Sequence, residues 1–439
     1  MKKALLAKND IQIFHCAKSY QQQLITLIES AKVRIFITAL YLQDDEAGRE
    51  ILTALYKAKQ KTPTLDINIF VDAHRAQRGL IGEAEQLGNR ALYLKLEQEH
   101  QANIKIYGVA AKKKELFGVL HLKGMVFDDN LLYSGASINN VYLHQYDNYR
   151  LDRYYLLNSA ILADSFCQYL HYAFVDSGLT YLLNTPVLPS PAKQKKQTQQ
   201  LKSLLKKTNY RLPRIAMKQS GDDVLFAEPL IGCGRRGNQL NAKIRQLVKH
   251  SSQELIIFTP YFNLPKVLMR DVVRALKRGV KITIIVGDKK ANDFFIEDEA
   301  KFSTIGIIPY VYEMLLYRFV KRWQKFIDND LLTIKLWQHQ SNSFHLKGII
   351  ADWRYHLLTG SNLNPRAWSL DLENGLLLDD AQGLLKQDVE QELTHILTHT
   401  TEIKNVRQLE SVNDYPDKPK RLLKRIRMTQ IDRLLKRFL

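Results

Sequence analysis

One eight-residue block occurs twice in this chain, and no other feature constrains its fold as tightly. His121-Leu122-Lys123-Gly124-Met125-Val126-Phe127-Asp128 is answered by His345-Leu346-Lys347-Gly348-Ile349-Ile350-Ala351-Asp352. Each copy continues to a glycine and a Ser/Asn cluster, Gly135-Ala136-Ser137-Ile138-Asn139 and Gly360-Ser361-Asn362-Leu363-Asn364. The blocks lie 224 residues apart, and two tyrosines closing apolar runs, Tyr41 and Tyr261, lie 220 apart. Nearly equal offsets at well-separated landmarks indicate a duplicated domain rather than a chance word match.

The surroundings of the blocks repeat as well. Residues 33–42 and 254–262 are short runs dominated by β-branched and aromatic residues and predict buried strands. Helical stretches around Gly48–Gln60 and Lys266–Arg278 follow, then strands over Leu65–Asp72 and Val280–Asp288. Strand, helix, strand, twice over, is the pattern of an α/β fold with parallel pairing. After each block the chain should turn into a hairpin strand, Leu131–Ser134 and Tyr355–Thr359. With 439 residues, 45% of them apolar, there is enough material for two cores. The expected division is 10–184 and 214–400 for the two halves, with a Pro/Lys/Gln-rich linker at 185–213 and a basic amphipathic segment at 401–439.

Read as a strand, the block puts His121 and Lys123 on one face, and His345 and Lys347 likewise. An imidazole beside an ammonium suits phosphate: the lysine neutralises non-bridging oxygens while the histidine attacks phosphorus or moves protons. Asp128 and Asp352 fall on the opposite parity and are expected to be supports. Asn139 and Asn364 can donate to phosphate. Glu373, nine residues beyond Asn364, and Asp147, eight beyond Asn139, are candidates to accept a histidine Nδ1 proton and fix its tautomer. Lysine is a poor metal ligand and the other histidines show no paired spacing, so neither metal nor other cofactor is expected. His74 and His144 stay open, whereas His15, His100, His171, His250, His395 and His399 read as ordinary residues.

Two copies of H-x-K-x(4)-D followed by G-x-x-x-N resemble the phospholipase D superfamily. The resemblance implies two duplicated phospholipase D-like domains, each a mixed sheet flanked by helices, meeting in one shared active site. Five further segments, 72–79, 133–137, 259–265, 287–294 and 363–368, are similar to the Gram-negative bacterial phosphatidylserine synthase branch of that superfamily. That branch implies transfer of phosphatidyl from CDP-diacylglycerol to L-serine without a metal, through a phosphatidyl-histidine, as the first step of phosphatidylethanolamine synthesis. His121 is expected as nucleophile and His345 as acid/base. Asp147 departs from the glutamate commonly found at the orienting position. Resemblance and charge add Tyr41, Tyr261, Arg75, Arg78, Lys289, Asn292 and Arg366 as candidate substrate contacts. The alternatives are a phospholipase D or cardiolipin synthase-type enzyme, and a nuclease using the same chemistry on nucleic acid.

Net charge separates these. The chain carries +19, but residues 185–220 hold +9 of it and residues 418–439 hold +8, leaving +2 for the rest. Nucleic acid is therefore not expected as the substrate. In the tail, Leu422, Leu423 and Ile426 oppose one basic set, and Ile431, Leu434, Leu435 and Phe438 a second. Lys420, Arg421, Lys424, Arg425, Arg427, Arg433, Lys436 and Arg437 are candidate contacts with an anionic membrane surface. Residues 305–323 predict either a core helix or one lying near acyl chains. Three scattered cysteines without C-x-x-C suit a reducing compartment, the apolar run at the N-terminus stops at Lys8, and no stretch reaches membrane-span length. The expectation is a cytoplasmic protein held peripherally on the inner face of the cytoplasmic membrane.

Overall fold

The computed structural model describes residues 3–78, 88–112, 117–213, 223–297 and 302–428. Among these, the strands form two large sheets. The first has eight strands, in the order Tyr181–Leu182, Lys105–Val109, Asp66–Asp72, Arg34–Ala39, Met125–Phe127, Asn130–Ser134, Tyr154–Asn158 and Ile11–Phe14. The second has nine: Ala4–Ala7, Val224–Cys233, Leu372–Asp379, Tyr355–Thr359, Gly348–Ala351, Glu254–Thr259, Lys281–Gly287, Leu332–Trp337 and Thr400–Glu402. Three neighbouring strands in each run parallel, 66–72 pairing with 34–39 on one side and 105–109 on the other, and 281–287 with 254–259 and 332–337. The remaining pairs are antiparallel. The two mixed sheets and their connecting helices, Glu46–Lys61 and Lys266–Lys277, follow the expected duplication.

Side-chain alternation assigns each strand face its own core. Ile35 and Ile37 point into a core with the helices of the first half, and Leu255 and Ile257 do the same in the second. The opposite parity, Phe36 in the first sheet and Ile256 and Phe258 in the second, joins a third core containing residues of both halves, all nearly solvent-free. The halves therefore share an apolar centre, and neither has a complete interior without the other.

The N-terminal strand Ala4–Ala7 lies ahead of the expected start of the first half and pairs antiparallel with Val224–Ala227 in the second sheet, while the first sheet takes its earliest strand from Ile11–Phe14. Within the 185–213 segment read as a linker, Pro191–Leu205 is a helix, capped by the Ser190 hydroxyl, with Leu201 and Leu205 buried in the shared core. Thr/Gln/Lys content hid its two core leucines, four apart on one helical face. Residues 305–323 resolve as the core alternative, since the helix Ile308–Asp328 sends Leu316, Phe319, Val320 and Phe326 into the second half's interior.

Two short cross-links bring the halves' edges together. Ser343–Phe344 pairs in parallel with Arg150–Leu151, and Leu120 forms a bridge with Leu372. Those two contacts position the site.

Candidate active site

The histidine–lysine segments are not part of the sheets, contrary to the strand reading. The strands begin only at Met125 and Gly348, and the preceding residues run extended across the junction between the halves. His121 N–H donates to the Leu372 carbonyl (2.9 Å) and His345 N–H to the Leu151 carbonyl (2.9 Å). Asn374 clasps the Lys123 backbone from the opposite half, accepting from its N–H (2.8 Å) and donating to its carbonyl (2.7 Å). Asp72 holds the other side by accepting from Leu120 N–H (2.9 Å).

Because each cross-link aligns one half's strand with the other half's histidine, the carboxylates are exchanged between halves. His121 Nδ1 meets Glu373 at 2.9 and 3.0 Å. His345 Nδ1 meets Asp152 at 2.8 Å. Asp152 is a correction: Asp147, the expected partner, sits exposed in the loop before the cross-link. Counting from Asn139 misled because the first half has four more residues between its asparagine and its carboxylate. The signal that finds Asp152 is the strand that follows: Leu151-Asp152 precedes Tyr154–Asn158 as Leu372-Glu373 leads an apolar strand.

Asp128 and Asp352 sit as supports, though not through strand parity, since the block is not one unbroken strand. Each sits at positive φ (50° and 52°) in the turn after its strand. Asp128 accepts from the N–H groups of Lys32, Val33 and Arg34 (2.8–3.0 Å) and Asp352 from those of Ser252, Gln253 and Glu254 (2.8–3.0 Å). Although burial pushes both carboxyls up, these backbone donors hold them below the usual range. Asn139 and Asn364 each cap a turn through Oδ1, accepting from Tyr142 N–H (3.0 Å) and Ala367 N–H (2.9 Å). This fixes the amide plane and assigns the NH₂ of Asn139 to Tyr41 Oη (3.4 Å) and Gln43 (3.3 Å).

The electrostatics are those of a desolvated anion-binding site. Burial, then the neighbouring lysine, pushes His121 and His345 well below the usual histidine range. Each imidazole also feels the lysine of the other half. Burial lowers Lys123, and lowers Lys347 to about 7. It also pushes Asp152 and Glu373 up, against the pull of the two lysines that favours their carboxylate forms. A neutral imidazole donating from Nδ1 to a carboxylate leaves Nε2 with its lone pair, the form a nucleophile needs. The two differ in what reaches Nε2. Among the described residues nothing hydrogen-bonds His121 Nε2, whereas the Tyr142 hydroxyl reaches His345 Nε2 (2.9 Å) and Lys347 Nζ lies against both ring nitrogens of His345. Two glycines allow this crowding. A Cβ on Gly360 would lie 2.7 Å from Lys123 Cγ, and one on Gly135 2.6 Å from an Asp152 oxygen.

Of the outer candidates, Tyr261 donates to Asp293 (3.2 Å) and stacks on Tyr312 at 5.0 Å, and Arg75 lies 6.0 Å from the Tyr41 ring. Arg366 pairs with Asp371 (3.3 Å) and acts electrostatically on His121 and Glu373. Asn292 lines a small cavity with Tyr261, its Oδ1 accepting from Phe294 N–H (3.0 Å). Lys289 does not present a free charge: Glu313 (3.1 Å) and Glu410 neutralise it between the rings of Tyr310 and Tyr415. Arg78 ends the helix Ala73–Gln77. His74 reaches the Lys112 carbonyl (2.9 Å) and His144 lies against Tyr149, so neither joins the histidine pair. Tyr142, Arg150 and Asp293 complete the His345 side and carried no motif of their own.

No group of three or more His, Cys, Asp or Glu positioned to hold a metal occurs among the described residues. Paired, carboxylate-held histidines with two lysines in one desolvated site are the apparatus of a phosphodiester-processing enzyme of the phospholipase D type. Residues 24–148 and 244–397 match the family described as "Cardiolipin synthase, PLD-like domain". The chain is 41% identical to the CDP-diacylglycerol–serine O-phosphatidyltransferase PssA of Escherichia coli (strain K12), over 98% of this chain and 95% of that protein. It is 42% identical to the enzyme of that name from Haemophilus influenzae, covering 99% and 96%. The crystal structure of phosphatidylserine synthase from Haemophilus influenzae Rd KW20 superimposes with a TM-score of 0.95 at 41% identity, covering 100% of this chain and 97% of that one. The chain belongs to the phospholipase D-like family and, within it, to the phosphatidylserine synthases.

Proposed function

We propose that this protein transfers the phosphatidyl group of CDP-diacylglycerol to L-serine, releasing CMP, with His121 as nucleophile and His345 as acid/base. The observation that carries the division of labour is the uncommitted Nε2 of His121, whose Nδ1 is held by Glu373. In the first step His121 Nε2 bonds to the phosphorus bearing diacylglycerol, and the bond from that phosphorus to the CMP oxygen breaks with its electron pair. In the second, the serine hydroxyl oxygen attacks the same phosphorus, its proton passes to His345, and the phosphorus–nitrogen bond breaks to restore His121. Lys123 and Lys347 neutralise the non-bridging oxygens in both steps. Incubation with phosphate-labelled CDP-diacylglycerol, no serine and a rapid quench should leave label on a peptide containing His121. Label that never becomes protein-bound, or that survives His121→Ala, contradicts this route.

The same reading includes a peripheral membrane contact through the C-terminus. Among the described residues no helix is long and apolar enough to cross a bilayer. The helix Asp417–Met428 docks through Leu423, buried against Ile307, Tyr310, Val311 and Tyr415, and leaves Arg421, Lys424 and Arg425 exposed. Lys420 is half-buried and Arg427 lies near the end of this helix; Arg433, Lys436 and Arg437 lie outside the described residues. Each basic side chain near an anionic surface contributes about 1 kcal/mol, enough together for reversible, salt-sensitive binding. Cosedimentation with anionic liposomes should fall sharply on removal of residues 418–439; salt-insensitive binding after truncation speaks against the contact.

A further inference from the structure

Nothing in the histidine–lysine apparatus distinguishes serine from water or from any other alcohol. The discriminating group must touch the part of the acceptor that is not its hydroxyl, and it must sit on the side of the base that deprotonates that hydroxyl. On the His345 side stands a pair of opposite charges contributed by the two halves: Arg150 Nη2 lies 2.9 Å from Asp293 Oδ1, with side chains 15% and 18% exposed. That exposure is low enough to desolvate the charges and high enough to admit a small solute. Arg150 also lies 4.6 Å above the Tyr142 ring, whose hydroxyl contacts His345 Nε2. Tyr261 donates to the second oxygen of Asp293 (3.2 Å). Both charges act on His345. Arg150 Nε is buried and has no hydrogen-bond partner among the described residues, an unmet donor beside the Asp293 contact.

Serine at neutral pH is a zwitterion with no net charge. A lone arginine would favour anionic alcohols, and a lone aspartate would favour amino alcohols. A fixed cation–anion pair complements a molecule that carries both, and it rejects molecules lacking either because one buried charge is then left without its counterpart. Resting on the phosphatidyltransferase reading above, we propose that Arg150 and Asp293 form the acceptor-specificity site, Arg150 receiving the serine carboxylate and Asp293 its ammonium. Tyr142 bridges this site to His345, so that an acceptor held by both charges presents its hydroxyl to the imidazole.

The test compares acceptors at saturating CDP-diacylglycerol in mixed micelles: L-serine, ethanolamine without the carboxylate, and L-glycerate without the ammonium. For the natural enzyme kcat/KM for serine should exceed that for either by about 100-fold or more. The charge-balanced double variant Arg150→Gln/Asp293→Asn should cut the serine-to-ethanolamine ratio at least tenfold, through a raised KM for serine with the KM for CDP-diacylglycerol held. Arg150→Lys, which keeps the charge but loses the planar fork, should fall between. Equal losses for every acceptor, with the ratio preserved, would mean that Arg150 only props Tyr142, and the inference fails. Should the double variant not fold, the natural enzyme still decides: L-serine methyl ester used as well as L-serine overturns the carboxylate contact. CMP release that ignores serine altogether fails the phosphatidyltransferase reading itself, and so is distinguishable.

Discussion

At Asp152 a single atom decides function. Its carboxylate holds His345 Nδ1–H at 2.8 Å, so Asp152→Asn presents an amide that can stabilise the wrong tautomer. Serine-dependent CMP release should drop by roughly 10²–10⁴, whereas Asp147→Ala, at an exposed loop position, should stay within about twofold. The lysines set the pH response. Both imidazoles stay neutral well below the usual histidine range, so kcat/KM for CDP-diacylglycerol should show no acid limb between pH 6 and 7. It should decline as pH rises through about 7, where Lys347 loses its proton. Stability should move the other way. Lys347 titrates at about 7 when folded and at about 10.4 when unfolded, so between those values the unfolded chain holds more protons and unfolding becomes harder with rising pH. Lys347→Met should abolish turnover, raise the midpoint of thermal unfolding at pH 7 and flatten that slope; a destabilised variant would show the buried ammonium to be a net support.

For the secondary-structure elements, the two aspartates at the ends of the repeated blocks are the informative case. Each gathers three backbone N–H groups of the connection entering the neighbouring strand, residues 32–34 and 252–254. Replacing either by alanine leaves one half-buried and two exposed donors to water and should cost about 1 kcal/mol of stability, read by denaturant midpoint, while the KM for serine stays put. The blocks' hairpin strands, the parallel pairs and their crossover helices were legible in the sequence because apolar runs of a strand's length, bounded by helical patterns, are dictated locally. Glu373 was legible too, through its distance from Asn364. What was not legible depends on contacts between segments far apart in the chain. Loop length displaced Asp152 from its counterpart's spacing. Arg150 and Asp293 gain meaning only when the second half's 292–294 turn meets the first half's cross-link. The helix Pro191–Leu205 was concealed by a polar composition that left only two positions for the core.

For the molecule as a whole, the buried seam between halves also holds a two-pronged ion pair. Arg153 reaches Glu392 through Nε (2.9 Å) and Nη2 (2.7 Å), and Tyr155 donates to the same carboxylate (2.7 Å), with side chains 3% and 5% exposed. Glu392→Gln should leave a buried guanidinium unbalanced and cost about 3–5 kcal/mol; Arg153→Met combined with Glu392→Met should recover most of that loss. A single cooperative unfolding transition is expected, since one apolar core serves both sheets. The exchange of carboxylates across that seam has a consequence in time. His121 and Glu373 are separated by 252 residues, a stretch that a ribosome takes roughly 10–50 s to add. Throughout that interval the emerging first half carries a histidine whose Nδ1 has nothing to hold it, and its own Asp152 awaits a histidine not yet made. The nascent chain is thus made without a complete catalytic pair, and each histidine gains its carboxylate only when the last strands have closed over the first.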